Sequence, residues 1–191
     1  MQLSAVILAG GKNSRMKGKD KAFMLVKGKP LVERTISLLR KNFPEIVVVT
    51  NSPGRYKKYP VAVVRDAIPG LGPLGGIYSG LRSIKNEAAF FVACDMPFLH
   101  NAIIEKQIAR FKKTKPPCLV ARCRDLEPLH AVYTKTMLPL MRRMIVSGDF
   151  SLKNFIAHCP GAAFCDFPGS QSRYFSNLNT LQNFAKAKCL R

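Results

Sequence analysis

The residues most able to do chemistry gather early in the chain, in Leu8-Ala-Gly-Gly-Lys-Asn-Ser-Arg-Met-Lys-Gly-Lys-Asp-Lys-Ala22, directly after a short apolar run. Gly10 and Gly11 let the backbone approach a ligand closely and aim consecutive N–H groups at an anion. Arg15 supplies a planar fork and Lys21 a point charge for phosphate oxygens, and Lys12, Lys17 and Lys19 strengthen the field. A solvated basic loop would explain the lysines but not a glycine pair placed just after a buried strand. The stretch is not a G-x-x-x-x-G-K-[ST] phosphate loop, because neither Gly10 nor Gly11 has a Gly-Lys at the required spacing.

Two carboxylates follow apolar runs. Asp66 comes after Val61–Arg65, and Asp95 comes after Phe90-Phe-Val-Ala-Cys94 and before Met96-Pro97. A carboxylate facing a polyphosphate repels it unless a divalent cation lies between, so Asp95 is a candidate Mg²⁺ ligand; it could equally cap the N-terminus of a following helix. Gly70-Leu-Gly-Pro-Leu-Gly75 reads G-x-G-x-x-G with Asp95 twenty positions on, but Asp66–Pro69 separates it from the preceding strand, which argues against a dinucleotide fingerprint. Gly75 and Gly76 instead suit the approach of another ligand to the helix beginning there. His100, His130 and His158 have no metal spacing, there is no G-x-S-x-G elbow, and Cys94, at the end of a buried strand, reads as structural.

These residues need elements to hold them. Ala5–Leu8, Ile46–Thr50, Val61–Arg65, Ala89–Ala93 and Cys118–Arg122 are short apolar runs suited to strands covered on both faces. Helix-period stripes lie between them: Val32, Ile36, Leu39 and Phe43; Ile77, Leu81 and Ile84; Ile104, Ile108 and Phe111. The alternation predicts βαβ units and a largely parallel sheet with helices on both faces, with ligands beyond the strands' carboxyl ends. Further on, Met137, Met141 and Met144 predict a helix ending before Gly148 and packed into the core. Ser151 is expected to cap a helix carrying Leu152, Phe155 and Ile156, and a last helix is expected after Asn179-Thr180. Lys113–Pro117 reads as a loop between two halves, about 1–115 and 116–191, of one domain spanning 1–191.

Composition bounds the partners. The 191 residues are 47% hydrophobic and 22% charged, an ordinary globular balance. Thirty-one Lys+Arg against eleven Asp+Glu give a formal net charge of +20, which favours encounters with nucleic acid, anionic lipid or multiply phosphorylated small molecules. No stretch approaches the ~20 consecutive apolar residues of a membrane span, and the start lacks the cationic region of an export signal. Six cysteines (94, 118, 123, 159, 165 and 189) without a C-x-x-C fit reduced thiols, so a cytoplasmic location is expected.

Leu8-Ala-Gly-Gly-x-x-Ser-Arg-Met, Asp20-Lys-Ala, Gly72-Pro-Leu-Gly-Gly76 and Cys94-Asp-Met-Pro97 resemble the signatures of nucleotidyltransferases with a GT-A-like fold. Glu127-Pro-Leu-His-Ala-Val-Tyr133, Ser147-Gly-Asp-Phe-Ser-Leu152 and Phe175-Ser-Asn-Leu-Asn-Thr180 are similar to the C-terminal half of the molybdenum cofactor guanylyltransferase family. The resemblance runs over essentially the whole chain. It implies a three-layer α/β/α Rossmann-like fold and transfer of GMP from GTP to the terminal phosphate of Mo-molybdopterin, with release of pyrophosphate and Mg²⁺ as cofactor. Carried over by position, Leu8, Ala9, Gly10 and Gly11 would line the nucleotide, Arg15 and Lys21 would hold the triphosphate, and Asn51 and Asp66 would contact the guanosine. Asp95 would bind Mg²⁺ and phosphate, and Asn177 and Asn179 would lie toward the pterin. Molybdoenzyme apoproteins or cofactor-insertion chaperones are implied as further partners. The chain departs from the family at Asn179-Thr-Leu-Gln-Asn-Phe184, where Pro and acidic residues are usual after Thr, and at His130, commonly an apolar position.

Two other readings stand beside this one. A relative could use CTP on molybdopterin, or a nucleoside triphosphate on a sugar phosphate. A basic nucleic-acid-binding module could use Lys57-Lys58, Arg110, Lys112, Lys113, Lys115 and Arg142-Arg143, but no readout signature accompanies them, so only weak, salt-sensitive, nonspecific binding is expected.

Overall fold

A computed structural model describes residues 1–10, 20–68 and 70–178. β1 (Ser4–Leu8) leads, beyond residue 20, into a hairpin of two short strands, β2 (Leu25–Val26) and β3 (Lys29–Pro30), and then α1 (Leu31–Leu39). β4 (Ile46–Val49), β5 (Ala62–Val64), α2 (Gly72–Ser83), β6 (Ala88–Ala93) and α3 (Asn101–Thr114) continue the alternation. The remainder is β7 (Cys118–Arg122), β8 (Leu126–Thr134), α4 (Leu138–Val146), α5 (Leu152–Ala157) and β9 (Ala163–Asp166). The main sheet runs β5-β4-β1-β6-β8-β7-β9. β5, β4, β1 and β6 are mutually parallel, β8 is antiparallel to both β6 and β7, and β9 is parallel to β7.

Helices cover both faces, because the inner strands are apolar on both sides. Val32, Ile36 and Leu39 of α1 and Ile103, Ile104 and Phe111 of α3 pack on Ile7, Val48, Phe90 and Val132. On the other face, Leu74, Ile77 and Leu81 of α2, Met141 and Met144 of α4 and Phe155 of α5 pack on Val6, Val47, Phe91 and Ala131. Phe90 and Phe91 are both fully buried, so β6 alone feeds both layers. The result is the expected three-layer α/β/α architecture, and the methionine stripe is core.

Ser151 caps α5 as expected, its Oγ accepting from Asn154 N–H at 3.2 Å. The expected loop at Lys113–Pro117 begins later than the sequence suggests: α3 continues through Thr114, and Lys115 closes it in the left-handed region at φ 45°. β8 and β9 escape the apolar pattern. In β8 the cause is Glu127, Pro128 and His130. Pro128 is tolerated because the β6 ladder ends at the Val92–His130 pair and the β7 register shifts between Val120 and Ala121, so no regular ladder donor is lost there. The helix expected after Asn179-Thr180 lies outside the described residues.

His130 fits an apolar position because it stays neutral. Its ring meets Phe90 and Phe175 edge-on, each at 4.9 Å between centroids. Nδ1 bonds to Gln107 Oε1, while Gln107 Nε2 donates to the His130 carbonyl at 3.1 Å. Nε2 is buried without a partner among the described residues, and burial lowers the pKa to about 3. The unfolded chain therefore binds a proton that the folded chain refuses between the ordinary histidine value and about 3, and this contribution to stability is lost as pH falls. Urea unfolding should show a His130-dependent loss of about 2 kcal/mol between pH 7 and pH 5. His130→Leu should flatten that slope; an unchanged slope in the variant would assign it to other groups.

Candidate active site

Parallel strands bring residues far apart in sequence to one edge. β1 lies centrally, paired in register with β4 on one side and β6 on the other. The chain leaves β1 toward β4 and β5 and then returns to β6, so the strand order reverses at β1, and the crevice that such a reversal offers a ligand falls beyond the carboxyl ends. Around that crevice stand Leu8–Gly10 after β1, Asn51 after β4, Asp66 after β5 and Asp95 after β6.

Backbone hydrogen bonds hold these exits together. Ala9 N–H donates to Val49 O at 2.8 Å, and Cys94 N–H donates to Leu8 O at 3.0 Å. A Cβ on Gly10 would lie 4.0 Å from Asn51 Nδ2, so the first glycine of the pair abuts the exposed Asn51 side chain. Gly11, Arg15 and Asn179 lie outside the described residues.

The charged centre is a bridge between two exits. Lys21 Nζ stands 2.9 Å from Asp95 Oδ2, and the two side chains are only 21% and 15% exposed, so water screens the pair incompletely. Lys21 opens a single 3₁₀ turn, Lys21–Phe23, whose cap is Asp20: Oδ1 accepts from Ala22 N–H at 3.1 Å. Asp20 Oδ2 accepts from Arg55 Nη1 at 3.0 Å, and the Arg55 guanidinium lies 4.1 Å from the Phe23 ring centroid. Asp95 sits in a turn, and α3 starts only at Asn101 with His100 as its N-cap. The helix-capping alternative for Asp95 is thereby removed.

Other expected residues have clear surroundings. Asp66 Oδ1 accepts from Ser79 Oγ at 3.0 Å and from Ile68 N–H at 3.3 Å, tying the end of β5 to α2. Gly75 and Gly76 are buried, and protein fills the room they leave: a Cβ on Gly75 would stand 2.9 Å from Leu71 Cβ, and one on Gly76 would stand 3.1 Å from Leu8 Cδ2. In this structure the pair brings α2 against β1 and the 66–71 loop. Asn177 lies near Asp95, because Leu178 N–H donates to the Asp95 carbonyl at 2.8 Å; the Asn177 Oδ1 is buried and has no hydrogen-bond partner among the described residues. Burial, reinforced by Asp95 and Asp20, pushes the Cys94 thiol well above its ordinary range, which leaves it protonated and a poor nucleophile.

Glu127 is a β8 residue that motif reading treated only as part of a signature. It lies past the last β6–β8 pair, Val92–His130, where the β7–β8 register shifts. Burial, with help from Asp125, raises its carboxyl to about 7. The available signal was an acid just before a proline in a chain of eleven acids.

Among the described residues, no three His, Cys, Asp or Glu side chains converge on a common point. A cation at the β6 exit would therefore take Asp95 and the oxygens a ligand brings. That set suits Mg²⁺, which keeps waters and takes one or two carboxylates plus substrate phosphates, better than metals that need a full protein cage.

Comparison with known proteins agrees with this arrangement. Residues 5–163 match the family model described as the MobA-like NTP transferase domain. A probable molybdenum cofactor guanylyltransferase of Clostridium perfringens is 33% identical over 187 residues, covering 95% of this chain and 93% of that protein. The molybdenum cofactor guanylyltransferase of Syntrophotalea carbinolica is 35% identical over 191 residues, covering 96% and 89%. Among solved structures, molybdopterin-guanine dinucleotide biosynthesis protein A from Archaeoglobus fulgidus superposes with a TM-score of 0.80 at 23% identity, covering 97% of each chain. The chain belongs to the MobA-like NTP transferase family.

Proposed function

We propose that this protein transfers GMP from GTP to the terminal phosphate of molybdenum-bound molybdopterin, forming the guanine dinucleotide and releasing pyrophosphate. The observation that carries the reading is the Lys21–Asp95 bridge at the crevice where β1 and β6 exit, the place a doubly wound sheet offers to phosphates. The guanylyl and molybdopterin parts rest on the relatives' named activity.

In the transfer, an oxygen of the acceptor's terminal phosphate bonds to the α-phosphorus of GTP as the bond from that phosphorus to the β-phosphate's bridging oxygen breaks. The acceptor oxygen is already anionic near neutral pH, so no strong base is required. Positioning and charge neutralisation carry the catalysis. The stretch at the β1 exit, Leu8–Gly10 with Gly11 and Arg15 added from the sequence, is assigned to the nucleotide and its phosphates; Asn51 and Asp66 are assigned to the guanosine. Lys21 exchanges its Asp95 partner for phosphate oxygens. Asp95 would hold Mg²⁺, and the chemistry that ion supplies is neutralisation of the triphosphate's negative charge. Asn177 and Asn179 are assigned to the acceptor side, on the likeness of their motif to the family.

The nucleic-acid reading has no comparable site. Nothing apolar enough to cross a membrane occurs among the helices of the described residues.

Asp95→Asn keeps the shape of the side chain and removes its charge. It should lower Mg²⁺-dependent transfer by about 100-fold or more while leaving far-UV circular dichroism unchanged. Full turnover by the variant would remove Asp95 from the mechanism. Thermal-shift comparison of GTP, CTP, ATP and UTP with Mg²⁺ tests the base: GTP at about 100 times its Kd should add about 2.7 kcal/mol of stability. Stabilisation by CTP alone would overturn the guanylyl assignment.

A further inference from the structure

The 3₁₀ turn that presents Lys21 contains three residues, too few to hold its own geometry, so its position is set by what grips it. Ala22 packs into the core with Val32 and Ile36 of α1, and the segment after β4 grips the turn from outside. There, Pro53–Tyr56 forms a 3₁₀ turn of its own, with Tyr56 fully buried. Tyr56 meets the Phe23 ring at 5.0 Å, so the two turns share an aromatic contact. Arg55 adds two more contacts. Its Nη1 donates to Asp20 Oδ2, and its guanidinium covers the outer face of Phe23. Asp20 is 14% exposed at its side chain, and its other oxygen is the one that caps the Lys21 turn. One guanidinium therefore holds both ends of the turn, the cap at Asp20 and the ring at Phe23. Planar, hydrogen-bonding and stacking at once, it cannot be replaced fully by an ammonium.

We infer that Arg55 is a positioning residue for the nucleotide's phosphates, acting through Asp20 to hold Lys21 at the mouth of the crevice. The inference rests on the reading of Lys21 as a phosphate ligand. It links the β4 exit, which carries Asn51, to the phosphate side as one unit. An isolated, half-exposed ion pair contributes little to folding, so the consequence of losing Arg55 falls on ligand binding more than on stability.

The test measures Kd by calorimetry, with Mg²⁺ present, for GTP and separately for inorganic pyrophosphate, which has no base to recognise. Arg55→Ala should weaken both about 5- to 10-fold with a melting temperature within about 2–3 °C of the parent. Asp20→Asn, which removes only the charge, should reproduce most of that loss, and Arg55→Lys should recover part of it. In a Lys21→Ala background, Arg55→Ala should change either Kd by less than about 2-fold, because paths that share one contact are not additive. Unchanged Kd values in Arg55→Ala overturn the inference. So does a full Arg55→Ala penalty persisting without Lys21, which would mean direct contact with the ligand. If pyrophosphate responds as described while GTP binds no better than CTP, Arg55 keeps its role and the guanylyl reading fails.

Discussion

The Lys21–Asp95 ion pair is the contact on which the site depends. It closes the distance between the exits of β1 and β6, two neighbouring parallel strands whose sequences are separated by most of the N-terminal half. In a chain with thirty-one basic and eleven acidic residues, a carboxylate at this spot is costly to waste. Lys21 balances its charge, and the pair is shielded enough for the attraction to matter. Under the proposed function each member would have a separate use toward a phosphorylated ligand, the ammonium directly and the carboxylate through a cation.

The pair can form only because the sheet beneath it is rigid and closely covered. β6 is buried along its whole length, and α2 lies so near the strands that a Cβ on Gly80 would come within 2.8 Å of Val6 Cγ1 and 2.9 Å of Phe91 Cε1. Gly75, Gly76 and Gly80 thus do for helix packing what other residues do for binding: they let α2 settle low enough to tie Asp66 to Ser79. Well-packed interiors transmit such placements without slack, which is what a site built on strand ends requires.

The chemistry explains the absence of a catalytic triad in the sequence. An anionic phosphate acceptor needs no proton removed by a strong base, and the obstacle is repulsion between two multiply charged substrates. Cations, backbone amides and a carboxylate able to hold Mg²⁺ address that obstacle. Cys94 stays a neutral thiol and His130 a neutral ring, so neither the half-buried cysteine after β6 nor the buried histidine in β8 competes for the role.

Local pattern was enough to find five strands, the helices covering them and the residues at four strand exits, because apolar period, capping serine and glycine pairs are written in consecutive residues. The Ser151 cap and the methionine stripe of α4 belong to this class. Nonlocal pairing decided the rest. β8 carries Glu127, Pro128 and His130, which only a broken register and a ring-lined pocket between Phe90 and Phe175 make compatible with a strand. Whether Asp95 capped a helix or faced the crevice depended on how far α3 stood from it, and the grip of Arg55 on Asp20 joins residues 35 apart. Sequence alone determined which groups could bind phosphate; packing of a twisted parallel sheet determined which of them meet, since only the folded backbone brings distant strand ends to a common edge.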